Sequence, residues 1–160
     1  MYVMRKWAVS HAKSYNKAYE ILEKALIKAN PLFSKIGYDR VEKPITFIEK
    51  NIKGFLFDCQ MCGQCVLHDT GMSCPMNCPK ELRNGPCGGV RPNGHCEVKP
   101  EMRCVWVEAW RGNEMIDKKS DTSHSILKFQ PPTDHQLKAS SSWLREVRKK
   151  RDIQFFKGDS

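Results

Sequence analysis

The chain has 160 residues, of which 40% are hydrophobic, and a formal net charge of +9. That length suits one domain with arms or tails and excludes two independent cores, and the thin apolar content calls for cross-links or metals to assist burial. No stretch approaches the roughly 20 apolar residues of a membrane span, and Met1–Trp7 is no signal peptide, so the expected setting is a reducing cytoplasm.

The first 57 residues read as helical. Tyr15, Ala18, Tyr19, Leu22, Ala25, Leu26 and Ala29 recur at steps of three and four, and Asn30-Pro31 ends that helix. A second helix is expected from Pro44 through Ile45, Ile48 and Ile52 to Lys53, with Gly54 as its stop. Residues 58–104 carry no helix or strand period and many turn-forming pairs, so something other than backbone pairing must order them. From Cys104 to Arg111 a short helix or strand places Trp106 and Trp110 for burial. Gly112 to Ser125 reads as loop and Phe129 to Leu137 as an extended arm set by Pro131 and Pro132. Ser142 is a candidate cap for a last helix from Trp143 into Arg148-Lys149-Lys150-Arg151. The expected fold class is a small α plus irregular metal-stabilised domain. Helices occupy residues 1–57, a cysteine-rich metal-binding core residues 58–111, and a partner-docking arm with a basic terminal helix residues 112–160.

All eight cysteines fall in the middle of the chain: Cys59, Cys62, Cys65, Cys74, Cys78, Cys87, Cys96 and Cys104. In a reducing compartment, thiols at such short fixed spacings are metal ligands more often than disulfide partners. Cys59, Cys62 and Cys65 form C-x2-C-x2-C, and Cys74 and Cys78 are each followed by proline. Three closely spaced thiolates with a more distant Cys-Pro match the way ferredoxin loops hold a [4Fe-4S] cluster. Zinc is the competing reading, because four thiolates also make a tetrahedral site and Cys62-Gly63 resembles a zinc-knuckle turn. Eight cysteines allow two complete sites: Cys59, Cys62 and Cys65 with Cys74 or Cys78, and Cys87, Cys96 and Cys104 with the other one. One cluster plus structural thiols is the alternative.

The remaining signals are weaker. His68 is either a further ligand or a surface histidine, and the glycines around Cys87 either let amides approach an anion or simply turn the chain. Arg145–Arg151 is either a phosphate grip or a solvated helix face, and Trp143 either a partner anchor or a local core residue needing cover. The positive charge is poor evidence for nucleic acid, since thiolates bound to metal would cancel much of it. No Walker loop, G-x-G-x-x-G fingerprint or catalytic triad stands out, so no catalytic residues are assigned.

The ordered series Cys59-Gln-Met-Cys62-Gly-Gln-Cys65, Cys74-Pro-Met-Asn-Cys78-Pro, Arg83-Asn-Gly-Pro-Cys87-Gly-Gly, Gly94-His-Cys96 and Cys104-Val-Trp resembles the methylenetetrahydrofolate reductase C-terminal domain family, whose stand-alone members are small cysteine-rich MetV-type subunits. The resemblance spans about residues 45–111, and Pro131-Pro132, Leu137 and Ser141-Ser142-Trp143-Leu144 look like the family's downstream segment. It implies an accessory, non-catalytic subunit of one-carbon folate metabolism. Its partner would be a flavin-containing (β/α)8 reductase subunit that carries the flavin and folate chemistry. The eight cysteines would hold one or two iron–sulfur centres, or zinc, and would relay electrons or brace the catalytic subunit. A zinc-stabilised nucleic-acid-binding module is the rival reading.

Overall fold

A computed structural model describes residues 2–117 and 129–149 of the chain. Among these, every regular element is helical and there is no strand; one isolated bridge pairs His95 with Arg103. The N-terminal part contains α1 (Tyr2–Ser10), α2 (Ala12–Lys28), α3 (Asn30–Ile36) and α4 (Tyr38–Phe57). After the cysteine-rich turns, which contain one short 3-10 turn at Pro75–Asn77, comes α5 (Val105–Asp117). Residues 142–149 form α6.

Several expected boundaries move. Asn30-Pro31 does end α2, yet Pro31 sits in the first turn of α3, where a missing N–H costs nothing. Pro44 does not start α4, which begins at Tyr38, and Gly54 does not stop it. Packing of α4 against α1 and α3 along its length outweighs one lost backbone bond. The helix ends where Asp58 turns left-handed at φ 53°, a conformation Asp tolerates. The ambiguous segment after Cys104 is a helix, and it continues through the expected loop start at Gly112 to Asp117; residues 118–125 of that loop lie outside the described residues. Trp106 is buried as expected, whereas Trp110 is 59% exposed because it lies on the outer face of α5.

The principal core joins α1 and α2 to the cysteine region: Ala8, Ala12, Phe57, Leu67, Met72 and Cys74, with Tyr15, Tyr19 and Ile116 around them. Gly112 explains how α5 reaches this core. A Cβ there would collide with the carbonyl oxygen of Gly71, so backbone packs on backbone. The arm from 129 to 141 is extended at first and then makes a 3-10 turn at His135–Leu137. It is tied back to the cysteine turns. Asn84 and Gln130 exchange hydrogen bonds of 2.9 and 2.7 Å, and the Ala139 N–H donates to the Met61 carbonyl at 2.8 Å. Ser141, not Ser142, caps α6, accepting from the Leu144 N–H at 3.3 Å. Trp143, Leu144 and Val147 are buried, so Trp143 is a core residue, its ring 5.0 Å from Lys53 Nζ and its edge lining a recess shared with Tyr19, Leu22 and Leu26 of α2.

Candidate metal centre

All eight thiols are free, with no disulfide between them. The chain sorts seven of them into two neighbourhoods. Cys78, Cys87, Cys96 and Cys104 line one recess together with Val105 and Trp106. Turns bring them there: the Cys96 N–H donates to the Met102 carbonyl at 3.0 Å and the Cys104 N–H to the Gly94 carbonyl at 2.9 Å. Cys78 and Cys104 are buried while Cys87 is exposed, its Sγ 3.5 Å from Glu97 Oε1. Glu97 also pairs with Lys80. The Asn84–Gly89 turn therefore presents Cys87 at the open side of the recess.

The second neighbourhood gathers Cys59, Cys65 and Cys74. Cys74 is buried and hydrogen-bonded to Cys59; that bond, then burial, holds its thiol well above the ordinary range. The same bond, helped by the Met61 N–H at 3.4 Å and by Lys53, pulls Cys59 down to about 7. Cys59 thus takes the thiolate role and Cys74 keeps its proton. Backbone N–H groups aimed at sulfur are a usual feature of thiolate metal sites. Cys62 does not join these three; its Sγ lies 3.6 Å from the Gln64 carbonyl and 4.0 Å from Arg83 Nη1. Gly63 is fixed between them by φ 71° and by the Leu137 carbonyl, which leaves no room for a Cβ. The choice left open by spacing is thereby narrowed: Cys74 sits with the first group and Cys78 with the second.

Behind Cys65 lies a charged network that the sequence reading did not single out. Glu49 and Lys53 are each 1% exposed and paired at 2.8 Å. Lys53 Nζ also donates to Ser142 Oγ at 2.8 Å and to Tyr19 Oη at 3.2 Å, and Tyr19 donates onward to Cys65 Sγ at 3.4 Å. Ser141 and Ser142 both donate to the Glu49 carboxylate, which also accepts from the Trp143 N–H at 3.4 Å. Burial works against the charge on Lys53, but Cys65, Tyr19 and Glu49 outweigh it and hold the ammonium above its ordinary range. Burial and the neighbouring Cys65 push the Tyr19 hydroxyl upward as well. A Glu and Lys four residues apart on a helix usually form a surface pair, so only the apolar residues on the opposite side of α4 could have hinted at this one.

Of the other candidates, His68 and, from the basic run, Arg145 and Lys149 line a recess together with Cys65. His68 pairs with Asn16 of α2 at 2.7 Å, which ties the turn after Cys65 to that helix. In the basic run, Arg148 is bound to Glu42 at 3.5 Å and lies 4.5 Å from the Tyr38 ring; Lys150 and Arg151 lie outside the described residues. Among the described residues no three of His, Cys, Asp and Glu converge closely enough to hold a metal ion in the present arrangement, and no helix is long and apolar enough to cross a membrane. The donor chemistry nonetheless fits an iron–sulfur cluster or zinc, because both neighbourhoods offer thiols free of disulfides and the Cys59 thiol is pulled down to about 7.

A family model described as methylene-tetrahydrofolate reductase C terminal matches residues 38–136, which extends beyond the cysteine motifs on both sides. No match was found among curated proteins or among solved structures. The matched span takes in α4, every cysteine turn, α5 and the start of the arm, which is more than half of the chain. The chain therefore belongs to the methylene-tetrahydrofolate reductase C-terminal family.

Proposed function

We propose that this chain is an accessory, non-catalytic subunit of a methylenetetrahydrofolate reductase-like flavoprotein and holds two metal centres for it. Cys59, Cys62, Cys65 and Cys74 would bind the first, an iron–sulfur cluster; Cys78, Cys87, Cys96 and Cys104 would bind the second. The observation that carries this reading is the division of seven of the eight free thiols into two neighbourhoods, with Cys62 apart, within a family named for that reductase. When bound, such a cluster supplies one-electron transfer. The chain's own residues do the rest: Lys53, through Tyr19, sets positive charge near Cys65, and the Met61 N–H stabilises the Cys59 thiolate. Cys62 would have to turn from Gln64 and Arg83 to complete the first set.

A structural zinc at the second set is favoured by one observation, that four cysteines, the number a tetrahedral zinc site takes, line one recess. Within the basic run Arg148 is committed to Glu42 and Tyr38, whereas Arg145 and Lys149 line a recess with Arg83, and these two are what a nucleic-acid reading would rest on. The deciding experiment is anaerobic isolation with the reductase subunit, followed by iron, acid-labile sulfide and zinc analysis. Iron and sulfide with a brown colour are expected. Colourless protein carrying only zinc would leave a structural brace, and metal-free native protein with free or disulfide-bonded thiols would overturn the proposal.

A further inference from the structure

Helix α4 is inside out. Its buried side carries Glu49 and Lys53, while Phe47, Ile48, Ile52 and Phe55 are 69%, 50%, 46% and 58% exposed. At about 100° per residue these four share an arc of about 140°, opposite the ion pair. Satisfying the buried charges with Ser141, Ser142 and Tyr19 lets the polar side face inward, which leaves a largely apolar face outside, interrupted by Asn51. Such a patch on a small domain marks an interaction surface.

Beside this face lies a recess of about 600 Å³ lined by Phe47, Thr46, Lys43, Lys50, Lys138 and Cys59 among others. Three of these are lysines, and Glu42, the carboxylate in the lining, is taken by Arg148. The Thr46 hydroxyl is buried without a hydrogen-bond partner among the described residues. The recess thus runs from Phe47, at the edge of the apolar face of α4, to Cys59.

We propose that this face of α4 and the adjoining recess dock the catalytic partner of the preceding section, a protein surface whose apolar projection is bordered by carboxylates. The inference rests on the accessory-subunit reading and names its docking side. Charge selects this occupant. A second copy of the chain, related by a two-fold axis, would set the lysine rim against itself. A lipid surface would offer no carboxylates set to match Lys43, Lys50 and Lys138 individually. Docking here brings the partner onto Cys59, so the interface and the electron path coincide.

The test compares the full chain with Phe47→Asp/Phe55→Asp and with Lys43→Glu/Lys50→Glu. Binding to the flavin-loaded reductase subunit of the same organism is measured by sedimentation at low and high salt. Circular dichroism and metal content serve as controls for folding. The first variant is expected to weaken binding about 100-fold. The second should weaken it about tenfold and flatten the salt dependence. Binding that neither variant changes would overturn this inference and leave the accessory reading standing; failure of the unmodified chain to bind overturns both. Self-association of the isolated chain that the first variant abolishes would assign the face to a second copy instead. Binding to anionic phospholipid vesicles lost in that variant would assign it to a membrane.

Discussion

The two cysteine neighbourhoods are built on different principles. Cys78, Cys96 and Cys104 are placed by backbone bonds that span at most ten residues, with Tyr2 of α1 packed beside them, and their recess opens to solvent at Cys87. Cys59, Cys65 and Cys74 are held by elements distant in sequence: Tyr19 from α2, Lys53 from α4 and, through Ser142, the start of α6. One region depends mainly on bonds within the cysteine stretch, the other on a buried polar network that must be complete to be tolerated. The difference separates a site shaped mostly by its own turns, with α5 and Tyr2 as walls, from one whose charged support comes from three docked helices.

The largest expected effect comes from breaking that network. Lys53→Met leaves Glu49 buried without its cation and is expected to destabilise the protein by about 3–5 kcal/mol in denaturant unfolding. Glu49→Gln/Lys53→Met should recover much of that loss. If Lys53→Met cost no more than a surface substitution, the contrast between the two regions would fail.

Glycines sharpen the comparison next. Gly112→Ala drives a methyl group into the Gly71 turn beneath the first neighbourhood and should cost about 1–3 kcal/mol. Gly88→Ala, beside Cys87, meets open space and carries only the penalty of φ 79°, about 1 kcal/mol. Equal costs would mean that the turn around Cys87 packs as tightly as the one on α5.

The smallest effect is chemical. In reduced, metal-free protein Cys59 should be alkylated about tenfold faster than Cys74 at neutral pH, since reaction follows the thiolate. Its rate should rise with pH through about 7, the lowered value, because the acid form that predominates below it is unreactive. Mass spectrometry of time-resolved alkylation reads both rates, and equal rates would remove the assigned roles of the pair.

Much of the cysteine region was legible in the residues. The lack of any helical period between 58 and 104 matches the turns observed, and the motif series identified the family. The helix boundaries were less legible. Pro44 and Gly54 are strong local punctuation, yet both lie inside α4, because local preferences of a few kcal/mol yield to packing along a 20-residue helix. Ile48 and Ile52 marked the helix correctly and pointed the wrong way, since periodicity reports a face without saying which side is buried.

By itself, the sequence determined the family, the helical N-terminal part, and a central stretch rich in thiols with no regular structure to order it. Only the tertiary structure decided that Cys74 joins Cys59 and Cys65 while Cys78 joins the later three, and that a Glu–Lys pair is the inside of α4. The reason is one of range. Spacing and turn chemistry act over a few residues, whereas the partners that make it tolerable to bury Lys53 come from positions 34 and 89 residues away.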